Sequence, residues 1–249
     1  MRTQIDLNAD LGEGCANDAE LMALVSSCNI ACGGHAGDDA SMRAALLMAQ
    51  RHDVSPGAHP SYPDREGFGR GRYELDTEQL RMSLDAQVGA LADAARQVGM
   101  GLSHLKPHGT LYHDAASDPR VADLIAALAG VHLPGAALVG PPDSAVQVAA
   151  RDAGLAFLAE GFVDRRYAAD GSLLPRSDPR ALLSDPSEQA IQAIRLARGG
   201  PIETAGGPRA LEVDTLCLHG DAANSVVAAR TVRWALEDAN ITVRSPHVR

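Results

Sequence analysis

Aromatic residues are scarce in this chain. One Trp, four Tyr and three Phe make up 3% of its 249 residues, so the core has to be built mainly from Ala, Leu and Val. Basic residues are outnumbered, with 22 Lys and Arg against 32 Asp and Glu, giving a formal net charge of -10. A surface of that sign argues against nucleic acid as a partner, because phosphate binding needs a basic face. No apolar run reaches the roughly 18 residues of a membrane helix. No signal-peptide pattern precedes the first apolar strand. The four cysteines, Cys15, Cys28, Cys32 and Cys217, fall in neither disulfide nor zinc-ribbon spacing. They are expected to be reduced, in a cytoplasmic protein. Also missing are a Gly-x-x-x-x-Gly-Lys-Ser/Thr phosphate loop, a Gly-x-Gly-x-x-Gly after a strand and a Gly-x-Ser-x-Gly elbow. Familiar nucleotide loops and a serine nucleophile are therefore not expected.

What is present begins at once. Residues 5–14 (IDLNADLGEG) form an alternating strand that runs into a glycine-broken loop. Ile5, Leu7 and Ala9 share one face, and Asp6, Asn8 and Asp10 the other. Such a strand is either antiparallel with a wet face or a barrel strand whose polar side faces an active site. The rest of the chain favours the second. Further strands are expected at residues 28–32, 54–58, 102–106, 136–139, 156–159 and 215–218. Helices between them are marked by Asn17 to Glu20, Asp76 to Gln79, Asp118-Pro119 and Asp185-Pro186, and by apolar spacing over 40–52, 143–153 and 222–240. Residues 61–72 read as a loop long enough to be a lid, 161–176 as irregular and 199–208 as a loop. Seven strands alternating with helices indicate a parallel sheet.

Polar residues gather just past the strand ends. Asp10 and Glu13, His35 and Asp38, and His59 follow the first three strands. Lys106 and His108, Glu160 and Asp164, and His219 and Asp221 follow later ones. In a (β/α) barrel these ends share one mouth. An open doubly wound sheet gathers its ligand residues at one switch point instead. The expected fold is therefore α/β: a single domain over residues 1–249 built as an irregular seven-stranded, TIM-like (β/α) barrel.

Four of the nine histidines, His35, His59, His108 and His219, follow strand ends beside Gly or Pro. Together with carboxylates they suit proton transfer or a divalent metal. The sequence leaves the metal unassigned. His104 shares a face with Lys106 and is expected to line the interior. Lys106 and Arg165 are candidates for a carboxylate or phosphate, against a plain ion pair with a neighbouring acid. Lys106 and His108 are expected on one side of their strand, with the lysine keeping the imidazole neutral.

These segments resemble those of the lactam-utilisation (LamB/YcsF) family of 5-oxoprolinase A subunits. The resemblance lies in IDLNADLGE at 5–13, NIACGGHAGD at 29–38, GAHPSYPD at 57–64, GFGR at 67–70 and KPHG at 106–109. Asp164-Arg165 with Tyr167, Pro175-Arg176 and His219-Gly220-Asp221 complete it. Gly34 departs from the family's usual Phe and is expected to widen the pocket; Gly71 and Thr110 also depart. The resemblance implies a barrel of the glycoside hydrolase and deacetylase type. It implies ATP-dependent opening of 5-oxoproline to L-glutamate, with ATP and Mg2+ as co-substrate and subunits B and C as partners. Two other readings stay open: a metal-dependent deacetylase or amidase, and a non-catalytic substrate-binding subunit. On position, Asp10, His35, His59, Lys106, His108, Asp164 and His219 are the catalytic candidates. Asn8, Glu13, Asn29, Arg70, Arg165, Arg176 and Asp221 are candidates for holding substrate or phosphate. Lys106 is expected on the phosphorylated lactam oxygen and His108 on a proton of water or the ring nitrogen.

Overall fold

The first strand is buried on both faces. In a computed structural model, which describes residues 3–71, 75–220, 222 and 224–246, β1 (Gln4–Leu11) is covered from Ile5 onward. Asp6 and Asn8 are as buried as the apolar residues between them. Their face points into the centre of a closed ring of strands.

Along the chain follow α1 (Asp18–Met22), β2 (Ser27–Ala31), α2 (Asp39–His52), β3 (Ser55–His59), α3 (Thr77–Gln97) and β4 (His104–Leu105). Next come α4 (Gly109–Ser117), α5 (Pro119–His132), β5 (Ala137–Gly140), α6 (Ala145–Asp152), β6 (Phe157–Phe162) and α7 (Pro186–Ala197). The chain continues through β7 (Pro201–Thr204), β8 (Gly207–Ala210), β9 (Thr215–Leu218), α8 (Ser225–Asp238) and β10 (Thr242–Val243). Strands β1 to β6 and β9 form the ring, and β9 pairs back onto β1. Every pairing in it is parallel. The expected seven-stranded barrel is what the chain forms. The short β10 extends the sheet beside the start of β1, outside the ring.

Four of the eight helices among the described residues start at a capping side chain. Asp38 and Ser41, and Asp76 and Gln79, form reciprocal capping boxes at α2 and α3. Asp118 and Asp185 cap α5 and α7 ahead of a proline. Asn17 does not cap α1 with its side chain. It donates instead to Gly220 O at 3.0 Å and ties the first βα loop to the last. Two elements differ from expectation. The 199–208 region is not a loop but the β7–β8 hairpin, which buries Ile202; Gly207 at φ 105° permits its tight turn. Helix α4 begins directly after His108, with no side-chain cap to announce it.

The barrel centre is polar and densely paired. Asp6 Oδ2 accepts from Ser27 Oγ at 2.7 Å and Thr215 Oγ1 at 2.6 Å. Asn8 donates to Thr215 Oγ1 at 2.7 Å and Glu160 Oε1 at 3.1 Å. Asn29 donates to both Asn8 Oδ1 and Asp10 Oδ1 at 2.8 Å. His104 Nε2 donates to Asn29 Oδ1 at 2.7 Å, so this ring lines the interior as expected. Burial of this kind is tolerated because these groups find partners in one another. The apolar side chains pack outside the ring, against helices such as α3 with Leu80, Leu84, Val88 and Leu91.

The layer leaves no spare room at Gly57, where an added Cβ would overlap the His104 ring. Gly57→Ala should lower stability by about 1–3 kcal/mol through overpacking. Urea unfolding checks this, and an unchanged midpoint would show that the layer yields freely.

Candidate active site

Lys106 follows β4 and reaches across the barrel with 2% of its surface exposed. Its ammonium lies 2.9 Å from Glu160 Oε1 and 3.1 Å from Asp10 Oδ1. It also lies 3.1 Å from Cys217 Sγ. Burial disfavours charge on both Lys106 and Asp10. For Lys106 the charge of Asp10 outweighs it, with Glu160 adding; for Asp10 the neighbouring His59 outweighs it first, with Lys106 adding. Lys106 is held well above the ordinary lysine range and Asp10 well below the carboxylate range. Burial keeps Cys217 a thiol, far above its usual value.

Next to this group sit three histidines. His59 follows from β3, and its Nδ1 donates to Lys106 O at 2.7 Å. His108 Nε2 donates to Phe68 O at 3.0 Å, and its Nδ1 lies 3.0 Å from His59 Nε2. His59 Nε2 is 3.3 Å from Asp10 Oδ2. His35 stacks on His108 with centroids 3.7 Å apart and rings 5° from parallel. Its Nε2 is 2.9 Å from Glu13 Oε1. His108 is pushed far below its usual pKa, as expected, but for a different reason. Burial comes first and the flanking His59 and His35 add to it; Lys106 is not among the main causes. Burial likewise lowers His35.

A third group faces them. His219 follows β9 and sits 2.8 Å from Asp164 Oδ2, which also accepts from the His219 backbone N–H at 3.1 Å. Burial disfavours the Asp164 carboxylate, but His219 outweighs it and lowers its pKa. Arg165 is 3% exposed and donates to Leu174 O at 2.6 Å. Its Nε–H is buried and has no acceptor among the described residues. Burial, and then Arg176, lower its pKa.

These groups surround one cavity of about 370 Å³. Asp10, His59, Lys106, His108 and His219 line it, together with Arg70, Arg165 and Arg176. His35 and Glu13 stand behind His108, Asp164 stands behind His219, and Asn8 and Asn29 belong to the paired layer below. Asp221 lies outside the described residues. Asp38, at another strand end, caps α2 instead. Sequence reasoning missed Phe162, Tyr112, His113 and Thr110, which also line the cavity. Phe162 lies against His219, with centroids 5.6 Å apart, but it falls past the expected strand end, in a stretch read as irregular, and gave no signal. A second cavity of about 420 Å³ shares Tyr112, His113, Phe162 and Leu173 with the first. The described part of the 61–72 loop packs onto the histidines through Phe68, whose ring centroid is 5.2 Å from that of His35. Gly34 does not widen the cavity. The Gln87 amide and Ser61 hydroxyl fill the space where its Cβ would stand, and Gln87 bonds the Ser61 backbone at 3.0 and 2.9 Å.

Residues 5–248 match the LamB/YcsF family. The chain belongs to the LamB/YcsF family. Among its relatives is the A subunit of 5-oxoprolinase from Histophilus somni (strain 129Pt), 44% identical over 97% of this chain and 98% of that protein. The protein of the same name from Neisseria meningitidis serogroup C (strain 053442) is 42% identical, over 96% and 98%. The lactam utilization protein from Thermus thermophilus has a solved structure that matches with a TM-score of 0.89. It is 40% identical and covers 97% of this chain and 99% of that one.

Stability should follow the ion cluster. Asp10 has a depressed folded pKa, so its contribution is present above about pH 4 and is lost as pH falls through the folded value. Lys106 has a raised one, so its contribution is complete below about pH 10 and is lost as pH rises through the folded value. At pH 7 both are intact. Lys106→Met leaves two buried carboxylates without their cation and should cost about 3–5 kcal/mol in urea unfolding. A loss below about 1 kcal/mol, the range of an exposed pair, would contradict the assignment.

Proposed function

We propose that this chain is the A subunit of an ATP-dependent 5-oxoprolinase, a hydrolase that opens 5-oxo-L-proline to L-glutamate. ATP with Mg2+ is the co-substrate, and subunits B and C are the partners. The observation that carries the reading is the Arg165 guanidinium. It is buried, adjacent to Arg176, and keeps one N–H unpaired at a small cavity that also holds a His–Asp pair. Such a guanidinium suits a phosphoryl group or a carboxylate. The names of the family relatives point the same way.

The chemistry requires activation, because an unstrained lactam is a poor electrophile. Transfer of the terminal phosphoryl of ATP to the lactam oxygen releases ADP. Water adds to the ring carbon, the C–N bond breaks and the nitrogen takes a proton. A second water releases phosphate from the resulting acyl phosphate and leaves L-glutamate. In this reading Arg165 and Arg176, which line the cavity, hold the phosphoryl or the substrate carboxylate. His219 is the better proton carrier. Asp164 orients it through Nδ1, while both nitrogens of His108 face groups of the protein. Lys106 already has Asp10, Glu160 and Cys217 around its three N–H groups. Its part is to fix the charge of Asp10 beside the cavity.

The test is 5-oxoproline-dependent ADP release by the chain alone, by the chain with subunits B and C, and by the same mixture without ATP. Release only in the complete mixture is expected. Turnover without ATP would instead favour an amidase. In the complete mixture His219→Asn should lower turnover by about 100- to 10,000-fold with the assembly intact. Turnover within about threefold of the parent, well short of that range, would remove His219 from the reaction. Unchanged turnover with several cavity variants would favour a binding subunit whose chemistry lies elsewhere.

A further inference from the structure

Two cavities adjoin at the barrel mouth, and their walls differ in charge. The first carries Arg70, Arg165, Arg176 and Lys106, with Asp10 as the one carboxylate that lines it among the described residues. The second, of about 420 Å³, carries Glu160, Asp143 and Asp170 against Arg209. The balance turns from cationic to acidic between them. His113 stands in the wall of both. Desolvation lowers its pKa first, then Arg165 and Arg176 against the opposing charge of Asp114. The guanidinium charges are thus felt at the boundary of the two cavities.

The second cavity is also the more deeply walled by apolar groups. Tyr112, Phe162, Tyr167, Leu173 and Leu211 line it. Apart from Leu173 these are at most 6% exposed, so the wall is part of the core and not a surface dent. The Tyr112 and Phe162 rings stand at 90° with centroids 5.8 Å apart. Asp143, Ser117 and Asp170 border the same space and offer acceptors to hydroxyl or amino groups. Sites for small organic ligands measure about 300–1,000 Å³ and combine apolar walls with a few polar groups. A ligand that fills both cavities must be anionic at one end. At the other it must carry a flat, largely neutral ring edged with hydroxyl or amino donors. A single lactam ring with its carboxylate is too small to do both. A nucleoside triphosphate has that division.

We infer that the second cavity holds the nucleoside of ATP, with the phosphates passing His113 and Leu173 to reach Arg165 and Arg176. This rests on the ATP-dependent reading above and adds to it the place of the nucleotide. It also gives the missing glycine-rich phosphate loop a physical counterpart. Guanidinium side chains, which match phosphate oxygens two at a time, do here what backbone N–H groups do in such a loop. The acidic second cavity in turn disfavours the reverse orientation, which would set phosphates beside Asp143 and Asp170.

The test is photolabelling of the complete assembly, this chain with subunits B and C, by 8-azido-ATP, with the label mapped by peptide mass spectrometry. The label is expected on this chain within residues 112–117, 141–144 or 167–173, which border the second cavity. Excess ATP should remove it and excess 5-oxo-L-proline should not. Ala116 borders the second cavity and not the first. Ala116→Trp should raise the KM for ATP by about tenfold or more, the effect of a misfit in an apolar pocket, and leave the KM for 5-oxo-L-proline within about twofold. Label confined to the partner subunits, label elsewhere on this chain, or no label that ATP removes would each overturn the inference. So would an unchanged KM for ATP in a folded Ala116→Trp assembly. The parent label map decides the question even where the variant fails to fold. ATP-dependent turnover with the label on a partner would remove the nucleotide site and leave the proposed function standing. Turnover without ATP would strike the function itself, and the map would still report whether this cavity takes a nucleotide.

Discussion

The charge of Lys106, buried between Asp10 and Glu160, constrains the rest of the barrel. Lys106 just follows β4, Asp10 lies near the end of β1 and Glu160 lies within β6, and the three meet near the centre of the ring. A single cation deep in protein demands compensation, and here two carboxylates supply it. Asp10 is held as a carboxylate by His59 first and by Lys106 next, and its second oxygen lies against His59. His59 in turn faces His108, and His108 stacks on His35. One charge balance thus sets the position of a whole wall of the cavity. Breaking it would move groups well beyond the ion pair itself.

Beneath that wall the interior is a polar network where an apolar filling is more usual. Asp6, Asn8, Asn29, His104 and Thr215 use one another as partners. Such a network costs heavily when half satisfied and gives a unique arrangement when complete. It explains why polar residues so deep in the ring need not touch a ligand. The mouth itself divides into two sides. A compact, nearly dry histidine group stands on one, and the His219–Asp164 pair with the arginines stands on the other. The cavity lies between them and is lined by residues of both.

The sequence made the barrel legible because its polar residues recur at one end of successive strands. Asp10, His59, Lys106, His108 and His219 fall there, and the fold brings them to one cavity. It was less able to separate depth from contact. Asn8 and Asp10 share a face, yet only Asp10 reaches the cavity, because the two lie one layer apart along β1. His104 and His108 are four residues apart, a spacing that pairs ligands on a helix. On an extended segment it parts them, so His104 binds Asn29 and His108 faces His59. The β7–β8 hairpin hid behind glycine and proline that read as a loop. Gln87, filling the space beside Gly34, came from the middle of a helix, where no local pattern connects it to residue 34.

Lys106 stays charged in the barrel interior, between the Asp10 and Glu160 side chains. Lys106 is the chain's only lysine, so a lysine label reports on it alone. NMR of the protein labelled with 15N and 13C in lysine tests the claim most directly, by following the Nζ and Cε shifts as pH rises through the ordinary lysine value of about 10.4. Lys106 is expected to remain an ammonium after the lysine of a short reference peptide in the same buffer has titrated. Titration of Lys106 at or below that ordinary value would contradict it.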